Sequence, residues 1–295
     1  MSPERREQGC SARFAAALTT GPVLLDGGLA TQLEAQGANL STGLWSAQLL
    51  LDDPEAIVAA HEAFFAAGAQ MATTASYQAP LRLIGDSVRL AQQARDRCTD
   101  DQDRWVAGSV GPYGASLADG SEYRGDYGLS VPELRAWHRP RIAALVEAGA
   151  DVLAVETIPC LTEAEALLLE LSGTGVPSWL SLTCLGSRTR AGEPAYQGFA
   201  MAREVAEVVA VGVNCVDPGE VRGQLVLAAG ASGKPGVAYP NRGETWDAQR
   251  RAWTGPGGFT PAEVTGWVEA GARLVGGCCR VGPADIAAMR AALTS

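Results

Sequence analysis

Lysine is all but missing from this sequence. Of 23 basic residues in 295, only Lys234 is a lysine, and the arginines that make up the rest are scattered. That leaves no basic tract and, outside one position, no side-chain amine nucleophile. Against 33 acidic residues the net charge is −10, which argues against a nucleic-acid or anionic-membrane binder. Histidine is as sparse, with His61 and His138 alone, so a histidine-based metal site or general base has little to draw on. No apolar run approaches the roughly 20 residues needed to span a bilayer. Residues 1–20 carry Arg5, Arg6 and Arg13 but no apolar stretch of secretory type. A soluble, cytoplasmic protein is the expectation. Seven cysteines would leave one over in any full disulfide scheme, and a chain this long needs no staples. In a reducing compartment, clustered cysteines are more often metal ligands or catalytic groups.

What is present suits a large folded domain, since 47% hydrophobic against 19% charged residues is ample for a core and wrong for disorder. Eight short apolar segments read as strands: 23–28, 70–76, 105–112, 151–157, 179–184, 210–216, 236–241 and 273–279. Most are continuous rather than alternating, as in parallel strands covered on both faces. Helical patterns lie between them at 54–67, 131–148, 161–171, 220–229, 260–270 and 283–293. Asp53-Pro54 and Ser130-Val131-Pro132 are good helix starts, joining a capping side chain to an early proline. Three helices run into Ala-Gly-Ala at 67–69, 148–150 and 270–272, where glycine supplies the left-handed stop before the next strand.

This recurring unit predicts a single (β/α)₈ barrel of the TIM type, one domain over 1–295 with 1–20 as an N-terminal extension. A doubly wound open sheet would want a Gly-x-Gly-x-x-Gly turn after the first strand, and there is none. The longest irregular stretches are 114–130 and 241–259, and the second, rich in Gly, Trp and Arg, suits an active-site loop. A barrel lyase or aldolase working through a Schiff base lacks its lysine, because Lys234 precedes the seventh strand.

Barrel active sites gather at the C-terminal ends of the strands. Three cysteines fall there: Cys215 after the sixth strand, and Cys278 and Cys279 after the eighth. In a regular strand the last two would point to opposite faces, so they can converge only if the strand breaks, which Gly276-Gly277 permits. Three thiolates with one open position describe a catalytic zinc site. The pattern alone equally allows a strained vicinal disulfide or plain packing, and buried apolar packing is the reading for Cys10, Cys98, Cys160 and Cys184. The two histidines lie inside helices, away from the mouth, and are expected to be neither ligand nor base.

Five segments in register with the barrel carry a resemblance. They are Asp26-Gly27-Gly28-Leu29-Ala30-Thr31, Thr74-Ala75-Ser76-Tyr77-Gln78, Glu156-Thr157-Ile158-Pro159, Gly212-Val213-Asn214-Cys215 and Gly276-Gly277-Cys278-Cys279. Together they resemble the homocysteine S-methyltransferase family over nearly the whole chain. The resemblance implies Zn2+ on Cys215, Cys278 and Cys279, which would carry both metal binding and catalysis. It implies a homocysteine site at Asp26, Gly27, Gly28, Glu156, Thr157 and Asn214. Asp26 and Glu156 would hold the ammonium group, and the amides around Gly27-Gly28 would face the carboxylate. Trp45 and Tyr77 align with aromatic positions around the methyl donor, although Trp45 is as well explained by core packing. The 156–159 stretch resembles members that use S-methylmethionine, or S-adenosylmethionine more weakly. Betaine-using relatives carry an aromatic residue where Thr157 stands. Arg242, Trp246-Asp247 and Val281-Gly282 depart from the family pattern near the mouth. The implied reaction is methyl transfer from a sulfonium donor to the thiol of L-homocysteine, giving methionine. A betaine-dependent methyltransferase and a non-catalytic zinc or thiol sensor are the alternatives. The implied partners are small molecules only.

Overall fold

In the structure, a computed structural model, residues 9–38, 46–247 and 252–294 are described. Eight parallel strands form one sheet: β1 (Val23–Leu24), β2 (Met71–Thr73), β3 (Trp105–Val110), β4 (Val152–Ile158), β5 (Ser178–Leu182), β6 (Val208–Asn214), β7 (Gly236–Tyr239) and β8 (Ala272–Val275). Their order is β1-β8-β7-β6-β5-β4-β3-β2, each strand beside its sequence neighbour. The ring closes between β1 and β2 through one backbone bond, from the N–H of Gln70 to the carbonyl of Leu24 at 2.7 Å. The Gln70 side chain also accepts from the Leu24 N–H at 3.2 Å. This is the (β/α)₈ barrel, and all eight predicted strands are present. Several are shorter at their C-terminal ends than the apolar runs, because the chain there turns over the barrel mouth.

Two side-chain layers follow from the period of two along each strand. Val23, Met71, Trp105, Ala107, Val152, Ala154, Trp179, Ala210, Val237 and Leu274 fill the interior. Their neighbours, such as Val106, Leu153, Val155, Leu180 and Val211, face the surrounding helices. The helix Cys10–Thr20 lies at the N-terminal end of the barrel. Phe14 meets Trp105 edge-on at 5.5 Å, and Phe14 and Leu18 join the interior cluster. Residues 10–20 of the stretch read from sequence as an extension therefore pack against the barrel floor.

The helix signals were local and survive. The Asp53 side chain accepts from the Ala56 N–H at the start of Pro54–Ala66. Ser130 and Glu133 form a reciprocal capping box at the start of Val131–Glu147. Gly68, Gly149 and Gly271 have φ of 102°, 80° and 102°, the left-handed stops that the Ala-Gly-Ala repeats require. Among the described residues no helix is long and apolar enough to cross a membrane.

Both histidines are buried, and neither joins the cysteine cluster among the described residues. His138 pairs with Glu163 at 2.9 Å, and His61, on Pro54–Ala66, has no hydrogen-bond partner at either ring nitrogen. Burial pushes His61 down to about 4 from 6.5. The folded state therefore favours the neutral ring. Its stabilising contribution is complete above pH 6.5 and is lost as the pH falls through 4. Denaturant titrations at pH 7 and pH 4 should show His61→Leu losing about 3 kcal/mol less on acidification than the native chain. Equal losses in both proteins would show that His61 does not drive the acid limb.

Candidate active site

The site grows out of the interior parity of the strands. Two residues beyond Ala107 stands Ser109, beyond Ala154 stands Glu156, beyond Met71 stands Thr73, and beyond Val237 stands Tyr239. The same positions that carry apolar side chains lower in the barrel thus carry polar ones at the mouth. Around a cavity of about 150 Å³ lie Gly27, Gly28, Thr73, Tyr77, Gln78, Glu122, Tyr123, Glu156, Thr157, Tyr239 and the three cysteines, with neighbouring backbone.

Cys215, Cys278 and Cys279 place their sulfurs within 4.8 Å of one another. Strand β8 ends at Val275, and the backbone beyond it is held by other bonds. The Cys278 N–H donates to Pro240 at 2.7 Å and the Cys279 N–H to the Asn241 side chain at 3.2 Å. Both thiols are thereby freed from strand alternation, as the break at Gly276-Gly277 predicts. The two glycines are needed for space rather than for positive φ. A Cβ on Gly276 would stand 2.8 Å from the Asp26 carbonyl, and one on Gly277 would meet the Val281 side chain at 2.4 Å.

Zinc–sulfur bonds of about 2.3 Å in tetrahedral array put sulfurs about 3.8 Å apart. Cys278 and Cys279, at 3.9 Å, already meet that spacing. Cys215 and Cys278 are 2.7 Å apart and must open by a side-chain rotation. The donor set fits a soft or borderline cation such as zinc. Without one, the thiols share protons. Cys279 is held well below the ordinary thiol value by hydrogen bonds from Cys215 and Cys278. Cys278 is pushed well above it by its bonds to Cys215 and Cys279, and then by burial.

Three residues with side chains have left-handed φ around these sulfurs: Thr157 at 62°, Cys215 at 53° and Arg280 at 72°. Such strain costs of order 1–3 kcal/mol per residue and persists only where neighbours enforce it. Asn214 enforces two of the three. Its Oδ1 accepts from the Thr157 N–H at 2.6 Å, and its Nδ2 donates to Thr157 Oγ1 at 2.7 Å and to Cys215 Sγ at 3.4 Å. Arg280 is held by its N–H donating to Thr31 Oγ1 at 2.9 Å.

The carboxylates differ in placement. Glu156 is on the cavity wall, accepting from Ser109 Oγ at 2.5 Å, and burial pushes it up to about 8. Asp26 is fully buried behind the wall, where the Thr73 N–H, Thr73 Oγ1 and Tyr239 hydroxyl donate to it at 2.6, 2.9 and 2.7 Å. Burial raises it to about 6 in spite of these bonds. Asn214 likewise stands behind the wall, with Thr157 and Cys215 between it and the cavity. Gly27 and Gly28 do line the cavity, but the Gly28 N–H is committed to the Val281 carbonyl at 2.9 Å. A Cβ there would meet the Cys278 carbonyl at 2.7 Å, so this glycine contributes close approach rather than a free donor. Tyr77 is on the wall, seated over Gly111, where a Cβ would strike its ring at 2.6 Å. Trp45 lies outside the described residues.

In the 241–259 stretch, Asn241 and Arg242 hold the Cys279 backbone, and residues 248–251 lie outside the described residues. The other long loop, 114–130, reaches the cavity through Glu122 and Tyr123. Sequence reasoning also missed Ser109, Thr73 and Tyr239, which counting the interior parity upward from the apolar strand residues could have found.

Asn214→Ala should cost about 1–3 kcal/mol in denaturant unfolding, because the buried Thr157 N–H loses its acceptor. It should also weaken metal binding by roughly 10–100-fold in a chelator competition titration, as loss of a group orienting a ligand does. Unchanged affinity would show that the Thr157–Cys215 lock does not govern the sulfurs.

A family model described as homocysteine S-methyltransferase matches residues 23–293. The homocysteine S-methyltransferase of Escherichia coli (strain K12) is 45% identical over 294 residues, covering 91% of this chain and 94% of that protein. A selenocysteine Se-methyltransferase of Brassica oleracea var. italica is 39% identical, with 94% and 90% covered. Among solved structures, the metallated form of the homocysteine methyltransferase MmuM from Escherichia coli superposes with a TM-score of 0.83 at 42% identity, covering 92% of this chain and 96% of that one. Matched over most of its length by model, sequence and fold, the chain belongs to the homocysteine S-methyltransferase family.

Proposed function

We propose that this protein transfers a methyl group from S-methylmethionine to the thiol of L-homocysteine, with Zn2+ held by Cys215, Cys278 and Cys279. The observation that carries this reading is the convergence of three sulfurs, a buried carboxylate and an aromatic face on one small cavity. When bound, zinc supplies acidification of the substrate thiol, which otherwise titrates near about 8.5 and is mostly protonated at neutral pH.

The chain's own groups do the rest. Glu156 takes the homocysteine ammonium, and that cation in turn favours the ionised form of a carboxyl that burial alone would protonate. Asp26 adds negative charge from behind and fixes Thr73 and Tyr239, the two groups through which it faces the cavity. Gly27 and Gly28 admit the substrate backbone closely because no Cβ intervenes. Tyr77 offers its ring to the positive sulfonium, an attraction of about 0.5–2 kcal/mol once desolvated. Attack of the homocysteine thiolate on the methyl carbon forms one S–C bond as the other breaks, and the donor leaves as a neutral thioether. No general acid is required. With S-methylmethionine both products are methionine. Positioning and exclusion of water in a cavity of about 150 Å³ are what the barrel mouth contributes.

The test is methionine formation by metal-loaded protein from homocysteine and, separately, S-methylmethionine, S-adenosylmethionine and betaine. S-methylmethionine should be the best donor, S-adenosylmethionine weaker and betaine inactive. Turnover with betaine alone, or with none of the three, would overturn the reading. Cys278→Ser should lose metal and turnover together, whereas an active metal-free variant would contradict it. Glu156→Ala should raise the homocysteine KM at least tenfold, about what the loss of one charge-assisted hydrogen bond removes; an unchanged KM would take Glu156 out of the acceptor site.

A further inference from the structure

One acid on the cavity wall has no task in the mechanism above. Glu122 sits on the short 3-10 turn Ser121–Tyr123, inside the loop that follows β3. One of its carboxylate oxygens, Oε2, is buried without a hydrogen-bond partner. Burial of an unpaired carboxylate oxygen is costly, about 1–3 kcal/mol or more, and a native protein keeps such a group where a ligand completes it.

The turn that presents it is built to stay in place. The Ser121 N–H donates to Asp119 Oδ1 at 2.9 Å, the Tyr123 N–H to Gly120 at 3.1 Å, and the Gly125 N–H to Ser121 at 2.9 Å. The Arg124 guanidinium donates to Ser121 Oγ at 2.8 Å. Gly114 packs so closely beneath that a Cβ would come within 2.6 Å of the Glu122 nitrogen. Next to the carboxylate, Tyr123 also lines the cavity, and the Arg190 guanidinium lies over its ring at 5.8 Å.

We propose that Glu122 is a donor-binding residue whose carboxylate takes the α-ammonium group of an amino-acid sulfonium, and so selects that donor class. This rests on the methyl-transfer reading. The chemistry of the orphaned oxygen decides which charge of the donor it meets. A sulfonium has no N–H or O–H and cannot complete a carboxylate oxygen, whereas an ammonium brings three donors. The energetics agree. Sulfonium charge disappears as the methyl leaves, so a carboxylate paired with it would hold back the ground state. Ammonium charge persists through the reaction, and pairing with it binds ground and transition states alike. Glu122 therefore acts on donor affinity and leaves the methyl-transfer step untouched. The acceptor's ammonium has its own partner in Glu156, on β4. The two amino acids are thus distinguished by one carboxylate on strand β4 and one on the loop after β3.

The experiment compares native protein, Glu122→Gln and Glu122→Asp, all metal-loaded, by steady-state kinetics and by calorimetric binding of two sulfoniums. One is S-methylmethionine, and the other is dimethylsulfonioacetate, which has the sulfonium and a carboxylate but no amino group. Glu122→Gln should raise the S-methylmethionine KM and Kd roughly tenfold or more. Its kcat, its homocysteine KM and its Kd for dimethylsulfonioacetate should remain within twofold of native, which a misfolded variant could not achieve. Glu122→Asp should fall between. Equal weakening for both sulfoniums, a rise in the homocysteine KM instead, or no change would each overturn the proposal. Failure of the native protein to methylate homocysteine would sink the methyl-transfer reading, and the binding comparison would still decide for or against Glu122.

Discussion

Like charges at contact distance repel by roughly 4 kcal/mol per pair at 4 Å, taking an effective dielectric constant of about 20. Three thiols within 4.8 Å of one another cannot all ionise against that repulsion unless a cation stands among them. The opposed shifts of Cys278, raised, and Cys279, lowered, express the constraint directly, since one thiolate is stabilised only by protons kept on its neighbours. Much else at the mouth follows from holding these sulfurs together. The chain must leave β8 early, cross next to β1 where only glycine fits, and accept left-handed φ at Cys215 and Arg280. Asn214 is the bracket, and Thr157 the residue strained to complete it.

A second layer of negative charge surrounds the first. Glu156 and Asp26 are both buried and both raised, and Cys215 contributes to the rise of Glu156. An anionic cavity of this kind is unfavourable without cationic occupants, which makes it selective for them. Homocysteine and a sulfonium amino acid each carry an ammonium group, and the donor adds a sulfonium. The absence of lysine and histidine from the wall is consistent with this economy, because the transfer consumes positive charge and releases a neutral thioether. Glu122 on the 114–130 loop adds a further carboxylate to the cavity wall.

The barrel makes this economical in sequence. Interior positions alternate along the strands, so the residue that packs the core at one level becomes a polar group at the next. Ala107 leads to Ser109, Ala154 to Glu156, and Val237 to Tyr239. The resulting hydrogen bonds link strands that are distant in the chain. Ser109 holds Glu156 from the neighbouring strand, and Tyr239 reaches Asp26 across 213 residues. Loops contribute what the strands cannot. The 241–259 segment anchors the Cys279 backbone, and the 114–130 segment closes the cavity with Glu122 and Tyr123.

Whatever is encoded in local pattern was legible from the sequence alone. Continuous apolar runs gave the eight strands, capping residues and Ala-Gly-Ala stops gave the helices between them, and strand-end cysteines with a preceding Gly-Gly pair pointed to a sulfur site. These signals depend on backbone geometry within a few residues, which composition and spacing carry directly. Only the tertiary structure decided that Asp26 stands behind the wall, that Asn214 acts on Thr157 and Cys215, that residues 10–20 pack on the barrel floor, and that the 114–130 loop reaches the cavity. Each of these depends on which side chains from separate strands compete for the same few ångströms at the mouth, and that competition is settled by the packing of the whole ring rather than by any stretch of chain.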